Sequence, residues 1–156
     1  MAMGRKIFEK IISQSYPKER NLMLILALDP GETTGYVIAE ADGLDYDIKV
    51  SGQFPNWQLF DSLIRSYSPN TIVYEAFYLS PEIAKFKSRS TLPTVEVIGV
   101  LKYLAPKYSV RQLVAQPPSA KELVSLPRYI AGVSGPHARD ALKHLIAYLR
   151  GRNADS

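Results

Sequence analysis

No cysteine occurs among the 156 residues, which excludes both disulfides and thiolate-bound zinc. Histidine is nearly as scarce, with two residues, too few for a histidine-rich metal cage. No apolar run approaches the ~20 residues that span a bilayer. The first 20 residues carry Glu9 and Glu19 and lack a long apolar core, unlike a secretory signal. A cytoplasmic protein with no membrane partner is therefore expected. Acidic residues are in the minority: 15 Asp and Glu against 19 Lys and Arg leave a net charge of +4. That balance fits a polyanionic partner without demanding one. With sulfur and histidine cages excluded, the metal chemistry left open is a hard cation held by carboxylates.

The length suits one domain, able to bury roughly two-thirds of its unfolded surface. We expect an N-terminal basic helical arm over 1–20, with an amphipathic pattern at 5–16, a main domain over 21–150 and a polar tail over 151–156. The apolar run Leu22 to Leu28, ending in Asp29, reads as a fully buried central strand. Strands at about 34–40 and 46–54 follow, joined by a turn at Ala41-Asp42-Gly43. Asn56 is expected to cap a helix over 57–67 that buries Trp57, Phe60, Leu63, Ile64 and Tyr67 on one stripe. A fourth strand covers 71–74 and ends in Glu75. Pro93 opens a helix to about 105, a fifth strand spans 108–115, a short helix carries Lys121, and a last helix runs over 135–150. Three antiparallel strands followed by alternating helices and strands argue for a mixed α/β sheet flanked by helices.

Two of these strands end in a carboxylate, Asp29 and Glu75, and ligands in open α/β sheets gather at such ends. Asp29 followed by Pro30-Gly31 is also ordinary turn chemistry. In Gly135-Pro136-His137-Ala138-Arg139-Asp140-Ala141, proline suits the first helical turn, which puts His137 and Asp140 three residues apart on one face. Asp140 alone also reads as a dipole-stabilised acid near a helix start. Gathered together, these carboxylates need a cation: two unit charges about 4 Å apart repel by around 4 kcal/mol at a surface-like dielectric. Oxygen donors favour magnesium or manganese, and an imidazole among them tilts towards manganese tolerance.

In this order, Asp-Pro-Gly after the first strand, an acidic end to the fourth and His-Ala-x-Asp-Ala opening the last helix resemble the RuvC-type Holliday junction resolvases. The likeness covers about residues 22–150 and is nearest to the short, phage-encoded branch. It implies an RNase H-like fold with a mixed five-stranded sheet and helices on both faces. It also implies a catalytic, metal-binding set of Asp29, Glu75, His137 and Asp140, holding two magnesium ions per site, with manganese able to substitute. The family has Asp as well as His at the third of these positions. Its members are homodimers that nick four-way DNA junctions symmetrically, leaving 5′-phosphates, and a phage-encoded member would work in the host cytoplasm.

The same resemblance places Tyr78, three residues past Glu75, where an aromatic stacks on a base; packing beneath the next helix is the alternative, and Phe77 reads as core. Lys85, Lys87 and Arg89 suit backbone phosphates or a solvated basic face. Lys121 matches a family lysine near the scissile phosphate, although the preceding Ala115-Gln116-Pro117-Pro118-Ser119 is less basic and glycine-rich than the family's segment. Glu96 reads as a dimer-interface or buried hydrogen-bonding group, and His144 as packing. Related alternatives are a flap- or fork-type branched-DNA nuclease and a YqgF-like nuclease of structured RNA; the latter usually has Gly-Leu-Pro where this chain has Glu75-Ala76-Phe77. Two further classes are a non-catalytic junction-binding module and an ATP-binding fragment of the actin and sugar-kinase group, whose phosphate hairpin looks like residues 29–35.

Overall fold

A computed structural model describes residues 22–77 and 91–154. The expected arm over 1–20 and the segment holding Tyr78, Lys85, Lys87 and Arg89 lie outside the described residues.

Five strands form one sheet: β1 (Met23–Asp29), β2 (Thr33–Asp42), β3 (Asp45–Pro55), β4 (Thr71–Glu75) and β5 (Gln112–Gln116), in the order β3-β2-β1-β4-β5. The β1–β2 and β2–β3 pairs are antiparallel, while β1–β4 and β4–β5 are parallel. Among the described residues, four helices accompany them: α1 (Phe60–Tyr67), α2 (Thr91–Lys107), the short α3 (Ser119–Glu122) and α4 (Pro136–Ala154). The expected mixed sheet with helices on both faces is thus the architecture found.

Strand β1 shows why its run is continuously apolar. Successive side chains alternate between faces, and both faces are covered. Leu26 and Leu28 join Phe60, Ile64, Val97 and Leu101 in one core, under α1 and α2. Ile25 and Ala27 join Ala138, Ala141, Leu142 and Leu145 in the other, under α4. A central strand buried on both sides has no polar face to display.

Several boundaries differ from expectation for local reasons. The β2–β3 turn falls at Gly43-Leu44, with Gly43 in the left-handed region at φ 63°. Asn56 does not cap a helix; its φ of 51° is left-handed, whereas a capping residue takes extended backbone. Instead its N–H donates to the Glu32 carbonyl at 2.8 Å, and its own carbonyl accepts from the Thr34 hydroxyl at 2.6 Å. Helix α1 therefore starts at Phe60, and Trp57 and Tyr67 stay exposed. Strand β5 starts four residues late because Ser109, at φ 58°, closes α2, letting the Val110 N–H reach back to the Ala105 carbonyl at 3.0 Å. Helix α4 continues past 150 to Ala154. Glu96 is exposed and accepts a bond from the Trp57 indole N–H at 3.0 Å, so it is not a buried group.

Candidate active site

The parallel register aligns Leu28 with Tyr74, which brings Asp29 and Glu75 to the same level at the carboxyl ends of adjacent strands. Across the next pair, Glu75 is level with Gln116. Alternation then fixes their direction. Asp29 shares the face of Ile25 and Ala27, and Glu75 that of Val73, the face that α4 covers. From that helix, His137, Asp140 and His144 stand three and four residues apart, on one stripe aimed at the strand ends.

Four of these groups meet in pairs. His137 Nδ1 lies 3.0 Å from Asp29 Oδ2, and His144 Nε2 lies 3.1 Å from Glu75 Oε1. Between the pairs stands the Lys121 ammonium, 2.9 Å from Glu75 Oε1 and 3.5 Å from Asp140 Oδ2. Asp29, Lys121, His137 and Asp140 line one open cleft of about 560 Å³, floored by Pro30, Gly31 and Thr33 and edged by Phe77 and Thr94. Phe77, expected in the core, packs against it and lines this cleft as well.

The charge balance of the cleft is uneven. Burial pushes the Asp29 carboxyl above its ordinary value; the His137 bond works against this, and the charges of Glu75 and Asp140 add to it. Burial also acts to raise Glu75, as the largest single influence, but bonds from His144 and Lys121 together bring it below the ordinary range. Lys121 is held protonated: burial disfavours its charge, yet Glu75, Asp140 and Asp29 outweigh that.

Among the described residues, no three acidic or histidine side chains form a ready-made metal cage. The donor chemistry nonetheless fits a hard divalent cation, since the carboxylates of Asp29 and Asp140 line one cleft and a cation on its wall, the Lys121 ammonium, already bridges Asp140 to Glu75.

Two supports of this geometry have no counterpart in the sequence reading. The Gln53 side-chain oxygen, on β3, accepts from the N–H groups of His137 at 2.9 Å and Ala138 at 3.4 Å, satisfying the free donors at the start of α4. Gly35, on β2, lets the two backbones close up: a Cβ there would stand 2.0 Å from the His137 carbonyl carbon and oxygen. His144, read as packing, is fully buried but bonded to Glu75. Its place one turn after Asp140 was the available signal. Gln53 is 84 residues from His137, so no local pattern links them.

No family model matches the chain, and no curated protein sequence matches it. Solved structures do. RuvC from Thermus thermophilus superposes with a TM-score of 0.63 at 12% identity, over 85% of this chain and 97% of that one. The T. thermophilus RuvC in complex with a Holliday junction substrate gives 0.62 at 12%, over 83% and 95%. The yeast mitochondrial Holliday junction resolvase gives 0.51 at 13%, over 91% and 84%. The chain thus has the RNase H-like fold of RuvC and related resolvases, with its acidic cleft at the carboxyl ends of β1 and β4.

Proposed function

We propose that this protein is a metal-dependent, structure-selective endonuclease that nicks phosphodiesters in branched DNA, with the four-way junction as its substrate and a homodimer as its working form. The observation that carries this reading is the gathering of Asp29 and Asp140 on one cleft, from a strand end and a helix, with Glu75 at the adjacent strand end joined to them through the Lys121 ammonium. The fold shared with RuvC, one of whose structures holds a Holliday junction substrate, supports the choice of substrate.

In this reading Asp29, Glu75 and Asp140, with His137 beside Asp29, hold two magnesium ions per site, and manganese can substitute. Bound there, such ions stabilise charge developing at phosphorus and make water a nucleophile near neutral pH. The chain's own groups do the rest. Lys121, on the short α3, sits within reach of a phosphate oxygen brought to the cleft, and a released carboxylate contact frees its ammonium for that charge. The strand ends hold Asp29 and Glu75 on rigid backbone, so the acids meet the substrate without reorganising. Tyr78, Lys85, Lys87 and Arg89 are proposed to contact DNA beyond the cleft, by stacking and by phosphate contact.

The test compares wild type with Asp29→Asn on labelled four-way junctions, flaps, linear duplex and structured RNA, in magnesium, manganese or EDTA. Paired symmetric nicks on the junction, lost in EDTA and in the variant while junction binding persists, are expected. Preference for flaps or RNA would move the substrate class. Normal cutting by Asp29→Asn would overturn the site.

A further inference from the structure

Glu75 is held from behind by the buried His144, which is held in turn by the half-buried Gln116. His144 has no solvent exposure, and a buried imidazole is tolerated only when its polar atoms are matched. Both ring nitrogens are: Nε2 lies 3.1 Å from Glu75 Oε1, and Nδ1 lies 2.8 Å from the Gln116 amide. The amide itself has one orientation that satisfies every neighbour. Its nitrogen donates to His144 Nδ1 at 2.8 Å and to the His144 carbonyl at 3.1 Å, while its oxygen accepts from the Tyr148 N–H at 3.2 Å. A ring nitrogen that accepts a hydrogen bond carries no proton, so the ring proton sits on Nε2 and points at the carboxylate.

Packing alone does not explain this residue. Its neighbours on the buried stripe of α4, Ala141, Leu142 and Leu145, are apolar, and a leucine there would fill space without polar atoms to satisfy. The pairing of Glu75 with Gln116 across β4 and β5 puts carboxylate and amide on one sheet face, with the imidazole bridging them from the helix above.

We infer that His144 is a positioning residue, locked by Gln116 as the Nε2–H tautomer so that it donates to Glu75 Oε1 and fixes that carboxylate for cation binding. This rests on the nuclease reading for its consequence, though the tautomer does not. Groups that orient a metal-ligating carboxylate typically change metal affinity or activity by about 10–100-fold when removed.

Three measurements on the full chain test it. Two-bond ¹H–¹⁵N NMR of the wild type, with His144 assigned by its loss in His144→Gln, reports the tautomer without metal or DNA. Titration with Mn²⁺ alone compares wild type, His144→Phe, which has no donor, and His144→Gln, which keeps one. Single-turnover cutting and junction Kd are measured on the same three proteins. We expect the Nε2–H signature, which becomes mixed in Gln116→Leu. His144→Phe should bind Mn²⁺ and cut about 10–100-fold less well at unchanged junction Kd, and His144→Gln should recover much of both. A proton on Nδ1 in the wild type, or wild-type Mn²⁺ affinity in His144→Phe, overturns the inference while leaving Asp29-dependent cutting intact. A wild type that takes up no Mn²⁺ and cuts nothing overturns the nuclease reading, and this role with it.

Discussion

Asp29 and Lys121 carry opposite charges in the same cleft, and removing either should shift stability in opposite directions. Burial and the nearby Glu75 and Asp140 charges raise the Asp29 carboxyl, despite its His137 bond. The folded chain therefore holds that proton to higher pH than the unfolded chain does. Stability is greatest below the ordinary aspartate range, falls as pH rises through the raised value, and stays reduced at neutrality. Asp29→Asn removes the penalty, so in EDTA its Tm should exceed that of wild type at pH 7, with the difference closing as acid protonates the wild-type residue. Lys121 does the reverse. It is the ammonium between Glu75 and Asp140, and Lys121→Met takes the shared cation from both, leaving Glu75 its His144 bond and Asp140 the more distant Lys143 at 3.9 Å. A loss of about 1–3 kcal/mol is expected, between the values for exposed and fully buried pairs. Denaturant melts in EDTA check it, and magnesium should restore part of the loss, because a divalent ion replaces the missing charge.

Helix α4 can present His137, Asp140 and His144 together only if its first turn is fixed against the sheet. Gln53 does this from β3, and Gln53→Ala should cost about 1 kcal/mol, as loss of a helix cap does. Because misplacing reactive groups by about 1 Å costs up to ~10²-fold, cutting should fall about 10–100-fold while junction binding changes little. Urea melts with single-turnover assays separate the two effects. Gly35→Ala pushes the same helix away, since the atoms it meets at 2.0 Å are His137 backbone and cannot rotate aside. A loss of about 3 kcal/mol is expected, at the upper end for overpacking. These contacts mark the limit of legibility in the sequence. The β1 run, the acidic strand ends and the His137–Asp140 spacing were readable because their signals are local, within one strand or one turn. The Gln53 bond to α4, the Gln116–His144–Glu75 chain and the Asn56 link to the β1–β2 turn join distant segments. No periodicity encodes them, and at Asn56 the local helix-cap signal gave way to a tertiary bond.

The described residues of one chain form one acidic cleft, whereas a four-way junction is two-fold symmetric and its resolution requires two nicks. If the working unit is a homodimer, each copy supplies one site, and coupled cutting depends on both copies being intact. Asp29→Asn supplies the poison: it removes one carboxylate from the cleft and leaves unchanged the lysines and arginines behind the chain's net charge of +4. Mixed with wild type and allowed to exchange, it should form dimers with one live cleft. In a half-and-half mixture about one quarter of two-fold dimers carry two live sites. Paired nicking within one binding event should then fall with the square of the wild-type fraction, while single-nick product, made by mixed dimers, peaks in the half-and-half mixture. A cruciform plasmid assay distinguishes them, because paired nicks give linear product and single nicks give open circles. Linear product that follows the first power of the wild-type fraction would mean that the copies act alone. Salt offers a separate control, since junction affinity held by phosphate contacts must weaken as ionic strength rises, for wild type and mixed dimers alike.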